Sequence, residues 1–185
     1  MSVAYKNFWS LNTDEAVVAG ILRNGTNKQV EVFMPLNAQM KGVDLLLMNI
    51  KKRKSVTLQI KGSRAYEPRK SEIDKNVHGS AGWFYFSHDV IYKATADYFI
   101  FLVYVIEQSP KTGRRAFYPH IVAIPTKKLQ SLVRLYKKEG ATKMYNFFLW
   151  VNYKKKEAFD FRDKKYFLSA YLDKKGLDLL NKEVA

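Results

Sequence analysis

Apolar positions change period several times along the chain, and each change marks an expected element. Val17, Val18, Ile21 and Leu22 recur on one helical face, so a helix is expected over residues 12–23. Asn12 or Thr13 is placed to cap it, and Asn24-Gly25 to end it. Three extended segments follow: an alternating one at Gln29–Met34, an apolar run at Val43–Asn49, and Ser55–Lys61. In the last, Val56, Leu58 and Ile60 share one face while Thr57, Gln59 and Lys61 share the other. The link between residues 49 and 55 is too short for a helical crossover, so these two strands should pair antiparallel.

Residues 62–82 are polar and broken by Gly62, Pro68, Gly79 and Gly82, the pattern of a long loop. Trp83–Phe86 reads as a short strand. Ala96–Val105 and Phe117–Ile124 read as further strands, the first apolar enough to be central. Thr126–Lys138 reads as a helix after Pro125, with Leu129, Leu132, Val133 and Tyr136 on one face. Tyr145–Tyr153 alternates as a strand, and residues 164–182 suggest a terminal helix interrupted by Gly176. The expected class is α/β: one domain over residues 1–185, with a mixed central β-sheet flanked by helices.

Composition narrows the chemistry. The chain contains no cysteine and three histidines, His78, His88 and His120. Disulfides and Cys-based zinc sites are therefore excluded, and a histidine-rich metal site is disfavoured. The longest apolar run, 98–106, is nine residues, against about 20 for a membrane-spanning helix. Nor does the N-terminus carry a secretory apolar core. The expectation is a soluble cytoplasmic protein without a membrane partner. Charge is the strongest global signal, with 32 basic and 17 acidic residues giving +15. An imbalance of that size points to a polyanionic partner, nucleic acid above all.

An aspartate inside the apolar run V-D-L-L-L-M is costly unless it is paired or binds a cation. Antiparallel pairing would set Asp44 beside Gln59 and Lys61. Taken with Glu15 on the first helix, the set G-V-D-L-L-L (42–47) and Q-I-K (59–61) resembles the PD-(D/E)XK nuclease superfamily. The closest likeness is to its Q-x-K variants, such as Mrr-like restriction nucleases, and the element order resembles Holliday-junction resolvases. The resemblance covers about residues 10–125 and leaves a C-terminal extension of strand and helix. It implies a restriction-endonuclease-like core and Mg²⁺-dependent hydrolysis of DNA phosphodiester bonds, with Mn²⁺ as substitute.

By that resemblance Asp44, the Gln59 amide oxygen and the backbone carbonyl of Ile60 would hold the ion, and Glu15 would reach it through water. Lys61 would orient or deprotonate the attacking water, or stabilise the phosphate charge. Glu15 has a competing role at the third position of a capping box, with Asp14 as its substitute if the register slips. The basic hairpin tip Lys51, Lys52, Arg53 and Lys54 would touch phosphates, as would Ser63 and Arg64 just beyond the third strand. A duplex substrate calls for two active sites and hence a homodimer. Gln59 departs from the carboxylate usual at that position. Two alternatives follow from these features: a weakened, non-catalytic nucleic-acid-binding module, and an RNA-directed nuclease.

Overall fold

The computed structural model describes residues 13–35, 42–67, 79–108, 111–135, 144–161 and 167–185. The expected cap at Asn12, residues 68–78 of the expected loop (with Arg69, Lys70, Lys75 and His78) and the expected helix end at Lys138 lie outside them.

The chain opens with α1 (Thr13–Gly25) and β1 (Val30–Phe33), then β2 (Leu45–Asn49) and β3 (Lys54–Gly62). β2 and β3 form the expected antiparallel hairpin, with Leu47 opposite Val56 and Asn49 opposite Lys54. Its turn places Arg53 at φ 54°, and the Asn49 side-chain oxygen accepts the Lys52 N–H at 3.1 Å. The chain then leaves the hairpin's sheet for β4 (Ala65–Tyr66), β5 (Ser80–Ser87) and the short α2 (His88–Tyr92). It returns as β6 (Tyr98–Gln108), which lies parallel to β3, and turns back antiparallel as β7 (Arg115–Pro125).

The first sheet is therefore mixed, in the order β1-β2-β3-β6-β7. Its β6 reads as a near-continuous apolar run because both faces are covered. Even-numbered Tyr98, Ile100 and Leu102 join Leu45, Leu47, Leu58 and Ile60 beneath Val18 and Leu22 of α1. Odd-numbered Phe99, Phe101, Val103 and Val105 enter a second core on the opposite face.

That second core corrects the expectation of one sheet flanked by helices. After α3 (Thr126–Leu135) come β8 (Met144–Asn152) and β9 (Glu157–Asp160), which join β4 and β5 in a separate antiparallel sheet ordered β4-β5-β8-β9. Its inner residues Phe84, Phe86, Phe147, Leu149 and Val151 pack on the first sheet, with Phe84 and Phe101 edge to face at 5.0 Å. Helices thus cover one face of the mixed sheet, and the second sheet with α3 covers part of the other. Strand β5 extends the expected Trp83–Phe86 segment at both ends. The sequence shows no clear period at β4, α2 or β9, which are too short to display one.

A 3₁₀ turn (Ser169–Tyr171) leads into α4 (Asp173–Glu183), where a longer helix was expected. Leu180 and Val184 at its end pack beside α1 on the first core. None of the described helices is long and apolar enough to cross a membrane.

Candidate metal and phosphate site

Strand β3 carries the candidate site. Just before the Leu45–Leu58 pair that ends the ladder, the Asp44 N–H donates to the Leu58 carbonyl at 2.8 Å, so Asp44 departs from the regular register at the end of β2. The Asp44 side chain turns along the ladder, and its Oδ2 accepts the Ile60 N–H at 2.7 Å. This half-buried carboxylate thus replaces a backbone acceptor where β2 begins. On the other side β6 sets Phe99 beside Gln59 and Phe101 beside Lys61. The structure therefore brings the Asp44 carboxylate to the Ile60 backbone, while Gln59 and Lys61 on either side of Ile60 share the other strand face.

Gln59 lies between two strands and is only 8% exposed. Its Oε1 is buried and has no hydrogen-bond partner among the described residues. Buried acceptors are nearly always satisfied, so this amide oxygen is open to a donor or a cation. It is also the hard oxygen donor that Mg²⁺ prefers. Above it the chain runs through Gly42 at φ 84°, a left-handed conformation that favours glycine.

The first turn of α1 supplies acids from the opposite face. Asp14 packs against Gly62, one residue past Lys61: a Cβ added at Gly62 would lie 1.8 Å from Asp14 Oδ2. Glycine at that position is what lets the carboxylate reach the end of β3. Tyr104 on β6 donates its hydroxyl to Asp14 Oδ1 at 3.2 Å. Burial, and then the Asp14 charge, push the Tyr104 hydroxyl above its ordinary pKa. Glu15 is buried at 6% exposure in the same turn. Among the described residues no three His, Asp or Glu come together in a group that could hold a metal ion.

The two basic groups expected to meet phosphate separate in space. Lys51, Lys52, Arg53 and Lys54 are exposed at the hairpin tip. The five-residue step along β3 from Lys54 to Gln59 corresponds to about 17 Å. Ser63 lies next to the site, but its hydroxyl donates to the Trp83 carbonyl at 2.9 Å and accepts the Trp83 N–H at 2.7 Å. It ties the end of β3 to the second sheet. Arg64 beside it is exposed.

The sequence did not indicate Tyr104, whose hydroxyl meets Asp14 only because β6 runs parallel to β3. The glycine straight after Q-I-K was the one available sign of a close approach there. No family model matches the chain, and neither a curated protein nor a solved structure matches it.

Proposed function

We propose that this chain is a Mg²⁺-dependent DNA endonuclease with a restriction-endonuclease-like core, hydrolysing phosphodiester bonds at the end of β3. The observation that carries the reading is the Asp44 carboxylate on the Ile60 N–H, between a buried Gln59 whose Oε1 lacks a donor among the described residues and Lys61 in the sequence of β3. Asp44, the Gln59 amide oxygen and the Ile60 carbonyl would hold the ion, and the first turn of α1 would add Glu15 or Asp14 through water. When bound, the cation supplies an acidified water and neutralises phosphate charge. Lys61 would steady the phosphate as an ammonium, or as an amine would take the proton from the attacking water. Arg64 and the basic surface of a +15 chain would grip the backbone. Two copies would be needed to cut both strands of a duplex.

One feature favours a second reading, a binding module without turnover. Gln59 would offer the ion a neutral amide where the resembled family usually has a carboxylate. A single experiment separates the two. Supercoiled plasmid is incubated with the wild type in Mg²⁺ or Mn²⁺, beside Asp44→Ala and Lys61→Ala. Nicking is expected for the wild type and should fall by roughly 100-fold or more in each variant. Cutting that survives both substitutions would sink the assignment of this site. Salt-sensitive binding without cutting would select the module. Faster cleavage of RNA than of DNA would redirect the substrate.

A further inference from the structure

The outer face of the second sheet is aromatic where sheet faces open to water are usually polar. Along β5 the burial alternates: Phe84 and Phe86 point inward, while Trp83 and Tyr85 point outward at 46% and 61% exposure. Across the ladder Trp83 pairs with Phe148 and Tyr85 with Asn146, and on the other side Tyr66 pairs with Ala81. Tyr66 meets Trp83 edge to face at 6.3 Å and Phe148 tilted at 5.9 Å. Phe161 continues the row beside Phe148 at 6.0 Å. The Trp83 indole N–H donates to the Asn146 side-chain oxygen, which fixes the ring plane. Tyr66, Phe148 and Phe161 are half-buried, the last two packed with Trp150, which faces the same way and is buried. Trp83 and Tyr85 are the rings left exposed, and the inner face has its own set.

We infer that this face is a stacking platform for the unpaired bases of single-stranded DNA. Three observations select that occupant. The exposed side chains are flat rings rather than aliphatic ones, and every base offers a π-face to a ring only when it is unpaired. The outward positions of β4, β5 and β8 contain no acid. The exposed outward Glu157 of β9 stands away from Trp83 and Tyr85, at the end of the turn that carries Lys154 and Lys155. Glu67, next to Tyr66, is neutralised by an ion pair with Arg115. Exposed Arg64 stands at one edge of the sheet and exposed Lys154 and Lys155 in the β8–β9 turn, in a chain of net charge +15. Phosphates of a strand crossing the rings would meet cations at both margins.

The platform is also continuous with the candidate site. Ser63, two residues past Lys61, is hydrogen-bonded to the backbone of Trp83 in both directions. Bases held on Tyr66, Trp83 and Tyr85 would therefore bring the adjoining backbone to the end of β3. The choice of DNA, and this delivery of the strand, rest on the nuclease reading; the stacking itself does not.

The test is fluorescence anisotropy of a labelled oligo-dT strand in EDTA, where no cleavage can occur. The full-length wild type is compared with Trp83→Ala, Tyr85→Ala and Trp83→Phe. Single-stranded DNA should bind more tightly than a duplex of equal length. Each alanine should weaken binding roughly tenfold to a hundredfold, and Trp83→Phe should keep most of it. The salt dependence should be unchanged in all three, because no phosphate contact is removed. Tyr85→Ala guards against misfolding of the Trp83 variant, since no hydrogen bond is described for the exposed Tyr85 side chain. Unchanged affinity in folded alanine variants, equal affinity for duplex, or tighter binding of oligo-U would overturn the proposal. So would self-association that the same alanines abolish, which would make the face a subunit contact. Binding is read in EDTA and cutting in Mg²⁺ on the same Trp83 and Tyr85 variants and wild type, so failure of the platform and failure of the nuclease reading are told apart.

Discussion

At the scale of single residues, Gln59 concentrates the functional question. Its polarity and its partner strand follow from the alternation in V-T-L-Q-I-K. Its burial does not, because that depends on β2 on one side and β6 on the other. A buried amide oxygen without a donor costs stability, and replacing it by an apolar group of similar size removes the cost. Gln59→Leu is therefore expected to match or exceed the wild type in urea stability, by about 1 kcal/mol. The same variant should lose metal-dependent cleavage. A loss of stability greater than about 1 kcal/mol would instead make the amide a structural group. Asp44 differs in this respect, since its carboxylate already holds the Ile60 N–H at 2.7 Å.

At the scale of elements, α4 is the clearest case of a helix explained by its packing. Gly176 weakens the helical pattern of the terminal segment and lowers intrinsic propensity by about 1 kcal/mol relative to alanine. The fold supplies the reason for it. A Cβ there would stand 2.4 Å from the Tyr171 carbonyl oxygen and 3.0 Å from the Ala123 Cβ on β7. The glycine lets the helix start close against the sheet, where Asp173 accepts the Ile121 N–H at 3.0 Å and binds His120 Nδ1 at 2.7 Å. Gly176→Ala should thus destabilise the protein by about 2 kcal/mol despite its better propensity, measured as a shift of the urea midpoint. A higher midpoint would show that the contact relaxes at no cost. The β2–β3 hairpin lies at the other extreme. Its register is set by local alternation and a short basic turn, and it forms as expected.

At the scale of the whole molecule, buried tyrosines set an alkaline limit. Burial raises the Tyr98 hydroxyl, with the charge of Glu183 and a hydrogen bond to it adding to the shift. Tyr153 is pushed up to about 12, by burial first and then by Glu107. The folded state holds these protons more tightly than the unfolded chain, whose tyrosines titrate near 10. Their contribution is fully present below about pH 10 and is lost as pH rises through the folded values. Thermal melts should accordingly fall above about pH 10, and Tyr153→Phe should flatten part of that fall; an unchanged profile would remove Tyr153 from this account. Much was fixed by sequence alone: α1, the antiparallel hairpin, the apolar β6 and the +15 charge. These follow from short-range period and from charge, which need no distant partner. Tertiary structure alone decided the rest. The second sheet draws its strands from residues 65–66, 80–87, 144–152 and 157–160, a pairing that no local pattern encodes. Parallel packing of β6 beside β3 buried Gln59, and the docking of α1 set Asp14 over Gly62. Trp83 and Tyr85 became an exposed aromatic face only because their neighbours Phe84 and Phe86 had the first sheet to pack against.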